Sequence, residues 1–442
     1  MPIKVGMVSL GCSKNLVDSE RMLYKLKSHG YQLVTEPGMA DIAVVNTCGF
    51  IKSAKEEAIE TILELGQLKA EGSLKKIVIT GCLTERYKEE AAELFPEADA
   101  VIGIGNNKDI IDVLDHVLAN ERYINFAPKL DAEITGKRII STLPFFTYLK
   151  VAEGCSNCCT YCSIPQIRGK FRSIPMEKVL EEARFMAENG VTELVVIAQD
   201  TSRYGEDLYG ESKLPQLLRE LCRIDGLKRI RTLYCYPERI TDELLETIAS
   251  EEKLVKYLEI PIQHCDKDIL SRMNRWGDPE KLEALFTHIR EKIPGVILRT
   301  TLITGFPGET EEQFNELAEF IKKIRFDRLG CFPYSREEGT KSYDFPDQID
   351  EEVSTHRADI IMEQQMLISA ENNEKLLGSE FVAVVEGFDK FGECWFGRTE
   401  NDAPDIDGKV FFTSSRRLSI GEYVRIKITD TLDYDLIGEV ID

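Results

Sequence analysis

Short apolar runs rich in Val and Ile alternate with polar, helix-periodic segments through residues 1–135, the pattern of an α/β domain on an open parallel sheet. Three of these runs end alike. VGMVSLGC closes on Cys12, DIAVVNTC on Cys48 and KKIVITGC on Cys82, each where a helical pattern begins. From about Ser141 the rhythm lengthens, and FFTYLKVAEG, ELVVIAQD, RIRTLYCYP, YLEIPIQH, VILRTTLITG and RLGCFPYS read as six strands with amphipathic segments between them. Six βα units predict an incomplete (β/α)6 barrel whose active site lies at the carboxyl ends of its strands. The segment DEEVSTHRADIIMEQQMLISAENNEKLLG follows as a connector helix, and runs such as EFVAVVEG and GEYVRIKITDT then predict a small β-barrel of the OB type. The expected division is 1–135, 136–375 and 376–442.

Composition narrows the setting. Among 442 residues, 43% of them apolar, no run approaches the ~18 apolar residues of a membrane span. The opening MPIKVGMVSLGC lacks the charged-then-apolar pattern of a signal peptide, so the expectation is a cytoplasmic protein without membrane association. In that reducing compartment twelve cysteines are better read as metal ligands or catalytic thiols than as a disulfide framework. A formal charge of −22 argues against broad attraction to phosphates and favours a basic partner.

The chemistry concentrates in EGCSNCCTYCS, Glu153 to Ser163, after the first barrel strand. Its cysteines, Cys155, Cys158, Cys159 and Cys162, offer either CxxC pairs or CxxxCxxC through Cys155, Cys159 and Cys162. A zinc ribbon needs a second, distant CxxC, and a thioredoxin-type pair leaves two thiols unexplained. The earlier trio, Cys12, Cys48 and Cys82, converges if its strands lie side by side, because the carboxyl ends of parallel strands share one crevice. Gln199 and Asp200, Gln263 and His264, and the GFPGE loop at Gly305 stand at later strand ends, where they are placed to contact a bound cofactor. Cys222, Cys235, Cys265, Cys331 and Cys394 are isolated among apolar residues and read as buried structural thiols.

CxxxCxxC after the first strand of a barrel resembles the signature of the radical S-adenosylmethionine (SAM) superfamily. With SLGCSKNLVDSE, NTCGFI, TGCL, IPIQHCDKDILSRMNRWG and TLITGFPGET, the chain resembles the methylthiotransferase family along essentially its whole length. The resemblance implies a methylthiotransferase domain, a radical SAM barrel and a terminal TRAM domain. It implies two [4Fe–4S] clusters, one on Cys12, Cys48 and Cys82 and one on Cys155, Cys159 and Cys162, with SAM at the open iron of the second. An external electron donor is implied as well.

Two family branches differ in substrate: one modifies an adenosine in tRNA, the other an aspartate of small-subunit ribosomal protein twelve. From Gly378 to Asp442 there are 14 Asp and Glu against 7 Lys and Arg, an acidic surplus expected to draw a basic ribosomal protein rather than tRNA. AQDTSRYG and DAPDIDG also resemble the ribosomal-protein branch. An electron-transfer protein or a zinc scaffold would use the same thiols, but neither needs the barrel motifs.

Overall fold

The computed structural model describes residues 2–441. Six parallel strands, β1 (Lys4–Ser9), β2 (Gln32–Val34), β3 (Ile42–Thr47), β4 (Lys76–Gly81), β5 (Ala100–Ile102) and β6 (Tyr123–Asn125), form the first sheet in the order β2-β1-β3-β4-β5-β6. Helices α1 (Ser13–Ser28), α2 (Lys52–Ala70) and α3 (Cys82–Tyr87) follow β1, β3 and β4. Every residue of β3 is buried, as expected of a central strand with helices on both faces. The register pairs Ser9 with Asn46 and Thr47 with Gly81, so the ends of β1, β3 and β4 lie level at one edge.

The second sheet has the predicted six parallel strands: β7 (Phe146–Lys150), β10 (Glu193–Ile197), β11 (Arg229–Thr232), β12 (Leu254–Glu259), β13 (Ile297–Thr304) and β14 (Arg328–Pro333). They run in sequential order and β7 does not pair with β14, which leaves the barrel open on that side. A short antiparallel pair, β8 (Ala152–Glu153) with β9 (Arg172–Ser173), frames the cysteine-rich loop. The connector helix, Glu351–Glu374, lies against the barrel: Thr304 Oγ1 donates to Ser354 O at 3.0 Å and Gln365 Nε2 to Phe326 O at 2.9 Å. No helix among the described residues is long and apolar enough to cross a membrane.

The last unit is a closed barrel of β15 (Glu380–Asp389), β16 (Cys394–Arg398), β17 (Val410–Thr413), β18 (Tyr423–Thr431) and β19 (Leu436–Val440), in the order β15-β16-β17-β19-β18. Closure removes every exposed strand edge. Its β16–β17 connection seals the amino-terminal mouth of the larger barrel. Arg328 pairs with Asp402 at 2.7 Å and Arg299 with Asp407 at 3.2 Å. Arg398 reaches back to Glu193 at 3.1 Å, while Tyr148 and Tyr257 donate to Asp405 and Asp407 at 2.9 and 2.6 Å. Part of the acidic surplus expected to face a partner is thus turned inward. DAPDIDG is a barrel seal, with Asp402 and Asp407 matched to half-buried arginines.

The first domain covers the opposite mouth. Val17 of α1 joins an apolar cluster with Phe146, Tyr148, Leu233 and, from the terminal barrel, Ala403, so all three parts share one core. At the rim, Glu337 after β14 accepts from Lys55 of α2 at 2.8 Å and Arg86 of α3 at 2.7 Å.

Candidate active site between two strand edges

Cys12 is the N-cap of α1, Cys48 directly follows β3 and Cys82 opens α3. Because β1, β3 and β4 are neighbours in the sheet, the three thiols meet at one edge. Gly11 makes this approach possible: its φ is +84°, and a Cβ there would stand 2.7 Å from Cys48 Cβ and 2.9 Å from its sulfur. Cys48 and Cys82 are buried, whereas Cys12 is exposed. Burial pushes the Cys82 thiol up to about 12, against the pull of Arg168, and raises Cys48 as well.

Cys155, Cys159 and Cys162 leave the loop that begins after β8. Cys155 and Cys159 are buried, Cys162 is half-buried and Cys158 is exposed with φ +55°. Burial carries Cys155 up to about 11 and Cys162 further in the same direction. Two polar groups address Cys159 Sγ: Tyr236 Oη at 2.8 Å and Arg275 Nη1 at 3.7 Å, the guanidinium itself lying 4.1 Å from the centre of the Tyr236 ring.

A buried ionic lattice joins the two sites. Arg168 Nη1 donates to Asp18 Oδ2 at 2.9 Å and Glu153 Oε1 at 3.0 Å, and its Nη2 donates to Asn15 Oδ1 at 2.6 Å and Cys82 Sγ at 3.5 Å. Lys150 pairs with Asp18 and, at 2.8 Å, with Glu153. Glu153 is held well below the usual carboxylate range: burial opposes this, but Arg168 and Lys150 outweigh it. Arg168, only 1% exposed, therefore links the strand end that begins the second triad to a thiol of the first.

The other residues singled out in the sequence divide by environment. Gln199 lies two residues past β10 and is half-buried. Gln263 lies past β12 with φ +72°, a backbone conformation rare outside glycine, and is 9% exposed. Asp200 is fully buried and accepts from Asn157 Nδ2 at 2.8 Å and Ser202 Oγ at 2.5 Å, so it fastens the cysteine loop to the end of β10. His264 Nδ1 accepts from Asp266 N at 3.0 Å, and burial beside Arg357 lowers its pKa to about 3, which keeps the ring neutral. Gly305 has φ +70° and gives its N–H to Glu309 at 2.9 Å. A Cβ on it would stand 1.9 Å from Ser354 Oγ, so close packing of the connector helix accounts for this glycine. Cys222, Cys235, Cys265 and Cys331 are buried as expected, and Cys394 is only half-buried.

Among the described residues no group of three or more His, Cys, Asp and Glu side chains is close enough to hold one metal ion. Each thiol triad instead suits an iron–sulfur cluster, whose thiolate ligands bind different irons and so stand farther apart than ligands of one ion. The donor chemistry fits: three thiols per site, with a guanidinium beside one of them able to donate to cluster-bound sulfur. Arg168, Arg275, Tyr236 and Lys14 were not singled out from sequence. Lys14 and Arg168 are basic residues two and six positions from Cys12 and Cys162 in an acidic chain, which was the available signal for them.

Comparison with known proteins gives three domain matches: residues 4–103 to the uncharacterized protein family UPF0004, 149–321 to the radical SAM superfamily and 377–441 to the TRAM domain. The ribosomal protein uS12 methylthiotransferase RimO of Lachnoclostridium phytofermentans is 48% identical over 438 residues, covering 99% of either chain. RimO of Caldanaerobacter subterraneus subsp. tengcongensis is 48% identical over 436 residues, or 98% of this chain and 99% of its own. Among solved structures, the radical SAM methyltransferase TsrM from Kitasatospora setae, with cobalamin and a [4Fe–4S] cluster bound, superposes with a TM-score of 0.58. It covers 86% of this chain and 79% of that one, and at 14% identity the likeness is one of fold.

Proposed function

The chain belongs to the family of ribosomal protein uS12 methylthiotransferases, and from that membership we propose that it inserts a methylthio group at the β-carbon of an aspartate in uS12. The observation that carries this reading is the pair of cysteine triads brought to facing strand edges by a chain related to those enzymes along its full length. It is a radical SAM transferase that uses [4Fe–4S] clusters and SAM. Cys12, Cys48 and Cys82 are proposed to hold the auxiliary cluster, and Cys155, Cys159 and Cys162 the SAM cluster. When bound, these groups supply the one-electron chemistry that opens an unactivated C–H bond and the sulfur that replaces the hydrogen.

The chain's own residues supply position and environment. Tyr236 and Arg275 orient Cys159, and Arg168 and Asn15 hold the wall at Cys82. Gln199 and Gln263 are proposed to contact SAM directly, with Asp200, His264 and Gly305 shaping the loops around it. Parts divided at 135/136 and 375/376 are supported by the sheets, which lie within 4–125, 146–333 and 380–440. A ribosomal substrate and an external reductant place the reaction in the cytoplasm.

The test is anaerobic turnover of reconstituted enzyme with SAM and reductant, offering uS12 and tRNA in parallel and locating added mass by mass spectrometry. A methylthio increment on a uS12 aspartate is expected. An increment on tRNA alone would overturn the substrate assignment.

A further inference from the structure

Lys14 lies two residues after Cys12 and is 3% exposed, yet among the described residues its side chain makes no hydrogen bond and no ion pair. Its ammonium rests 2.9 Å from the centre of the Tyr234 ring. Tyr234 stands just past β11 with φ +64°, an outlier for so bulky a residue, and Tyr236 two positions on touches Cys159. Lys14 thus faces Cys12 of the first triad and rests on the segment, Tyr234 to Tyr236, that reaches Cys159 of the second.

Leaving a buried ammonium without an anion is costly, and a fold seldom keeps one without a use. The groups that face it are Cys12 at the N-cap of its own helix, Glu259 from β12, Glu153 from β8 and Arg168 from the short helix after the cysteine loop. Both carboxylates are committed elsewhere. Glu259 accepts from Tyr234 N at 3.0 Å and meets Arg299 at 3.4 Å, while Glu153 is held by Lys150 and Arg168. The ammonium keeps its donors for a visitor.

We propose that Lys14 is the carboxylate-recognition residue for the reaction, receiving the side-chain carboxylate of the accepting aspartate and holding its β-carbon between the two cysteine triads. The assignment rests on the function proposed above. Aromatic contact with Tyr234 fixes the ammonium from one side, and a single carboxylate on a protein loop satisfies it from the other. An asparagine at the accepting position leaves the ammonium unmatched.

The experiment measures binding of uS12, and of uS12 carrying asparagine at the accepting position, to reconstituted enzyme and its Lys14→Met and Lys14→Arg variants. Iron content and SAM cleavage are followed alongside. Truncating one partner of a desolvated charge pair predicts that Lys14→Met binds the aspartate form about 30-fold more weakly, with little change for the asparagine form. Lys14→Arg keeps part of the preference. The unaltered enzyme must itself prefer aspartate, a readout that needs no variant to fold. Equal loss of both forms, or loss of iron with discrimination intact, would make Lys14 a counter-charge for the cluster and overturn the assignment. Native enzyme that leaves uS12 unmodified would instead defeat the functional reading, and this inference with it.

Discussion

Arg275 and Arg168 each set a guanidinium against a sulfur of a different triad, 3.7 Å from Cys159 and 3.5 Å from Cys82. Donors to cluster-bound thiolates raise reduction potential, so clusters held on the proposed ligands would be tuned separately. Because the triads sit on different elements, they separate under mutation. Cys155→Ala is expected to abolish SAM cleavage. Cys48→Ala keeps some cleavage, loses roughly half the iron and yields no methylthio product, since each [4Fe–4S] site is filled by its own ligands. Iron analysis, 5′-deoxyadenosine release and product mass check this, and normal product from both variants would refute the ligand sets. That Cys12, Cys48 and Cys82 stand at strand ends was legible from the apolar runs before them. Lys14 was not, because one lysine beside a motif carries no sign of being buried over a tyrosine.

Among the elements, the connector helix approaches the barrel through one atom's width. Gly305 has φ +70°, and its missing Cβ leaves room for Ser354. Gly305→Ala combines left-handed strain with a clash that only movement of the helix can relieve, so a loss of about 3 kcal/mol is expected in denaturant unfolding. Adding Ser354→Gly removes the side-chain part of the clash but leaves the residue 354 Cα at 2.9 Å and the backbone strain, and restores only part. Full recovery would show that the backbone conformation costs nothing. The strand pattern predicted all six barrel strands because buried parallel strands read as continuous apolar runs, and the same signal marked β1, β3 and β4. Why GFPGE needs its first glycine was hidden, since Ser354 lies far along the chain.

The whole molecule is held by contacts that cross its three parts. Glu337 bridges Lys55 and Arg86 of the first domain to the barrel's last strand end. Burial acts against its charge, but Lys55, Ser335 and Arg86 hold its pKa below the ordinary 4.5. A carboxylate lowered on folding stabilises above its unfolded value and loses that contribution as pH falls through the folded one. Glu337→Gln is therefore expected to cost about 3 kcal/mol at pH 7 and progressively less below pH 4.5, as read by unfolding curves of both proteins across pH. An equal difference at every pH would refute the bridge. At the other mouth, removal of 376–442 takes Asp402 from Arg328, and takes Arg398 from Glu193 and Asp407 from Arg299, which among the described residues keep only Arg231 and Glu259. The shortened chain is expected to aggregate or lose its cluster rather than merely bind substrate less well. A folded 1–375 with full SAM cleavage would show that the seal is dispensable.

Taken alone, the sequence determined the six barrel strands, three strands of the first sheet, the position of a thiol after each of those three, and the family, because these depend on local periodicity and short spacings. It also supplied the acidic surplus of the last 65 residues, but not its direction. Only tertiary structure decided that Asp402 and Asp407 turn inward to Arg328 and Arg299, that Arg168 spans the two sites, and that Lys14 is left without an anion. Each of these is a pairing across long sequence separations. Whether a charge faces solvent, a partner or the interior is set by which distant side chains the fold brings within reach.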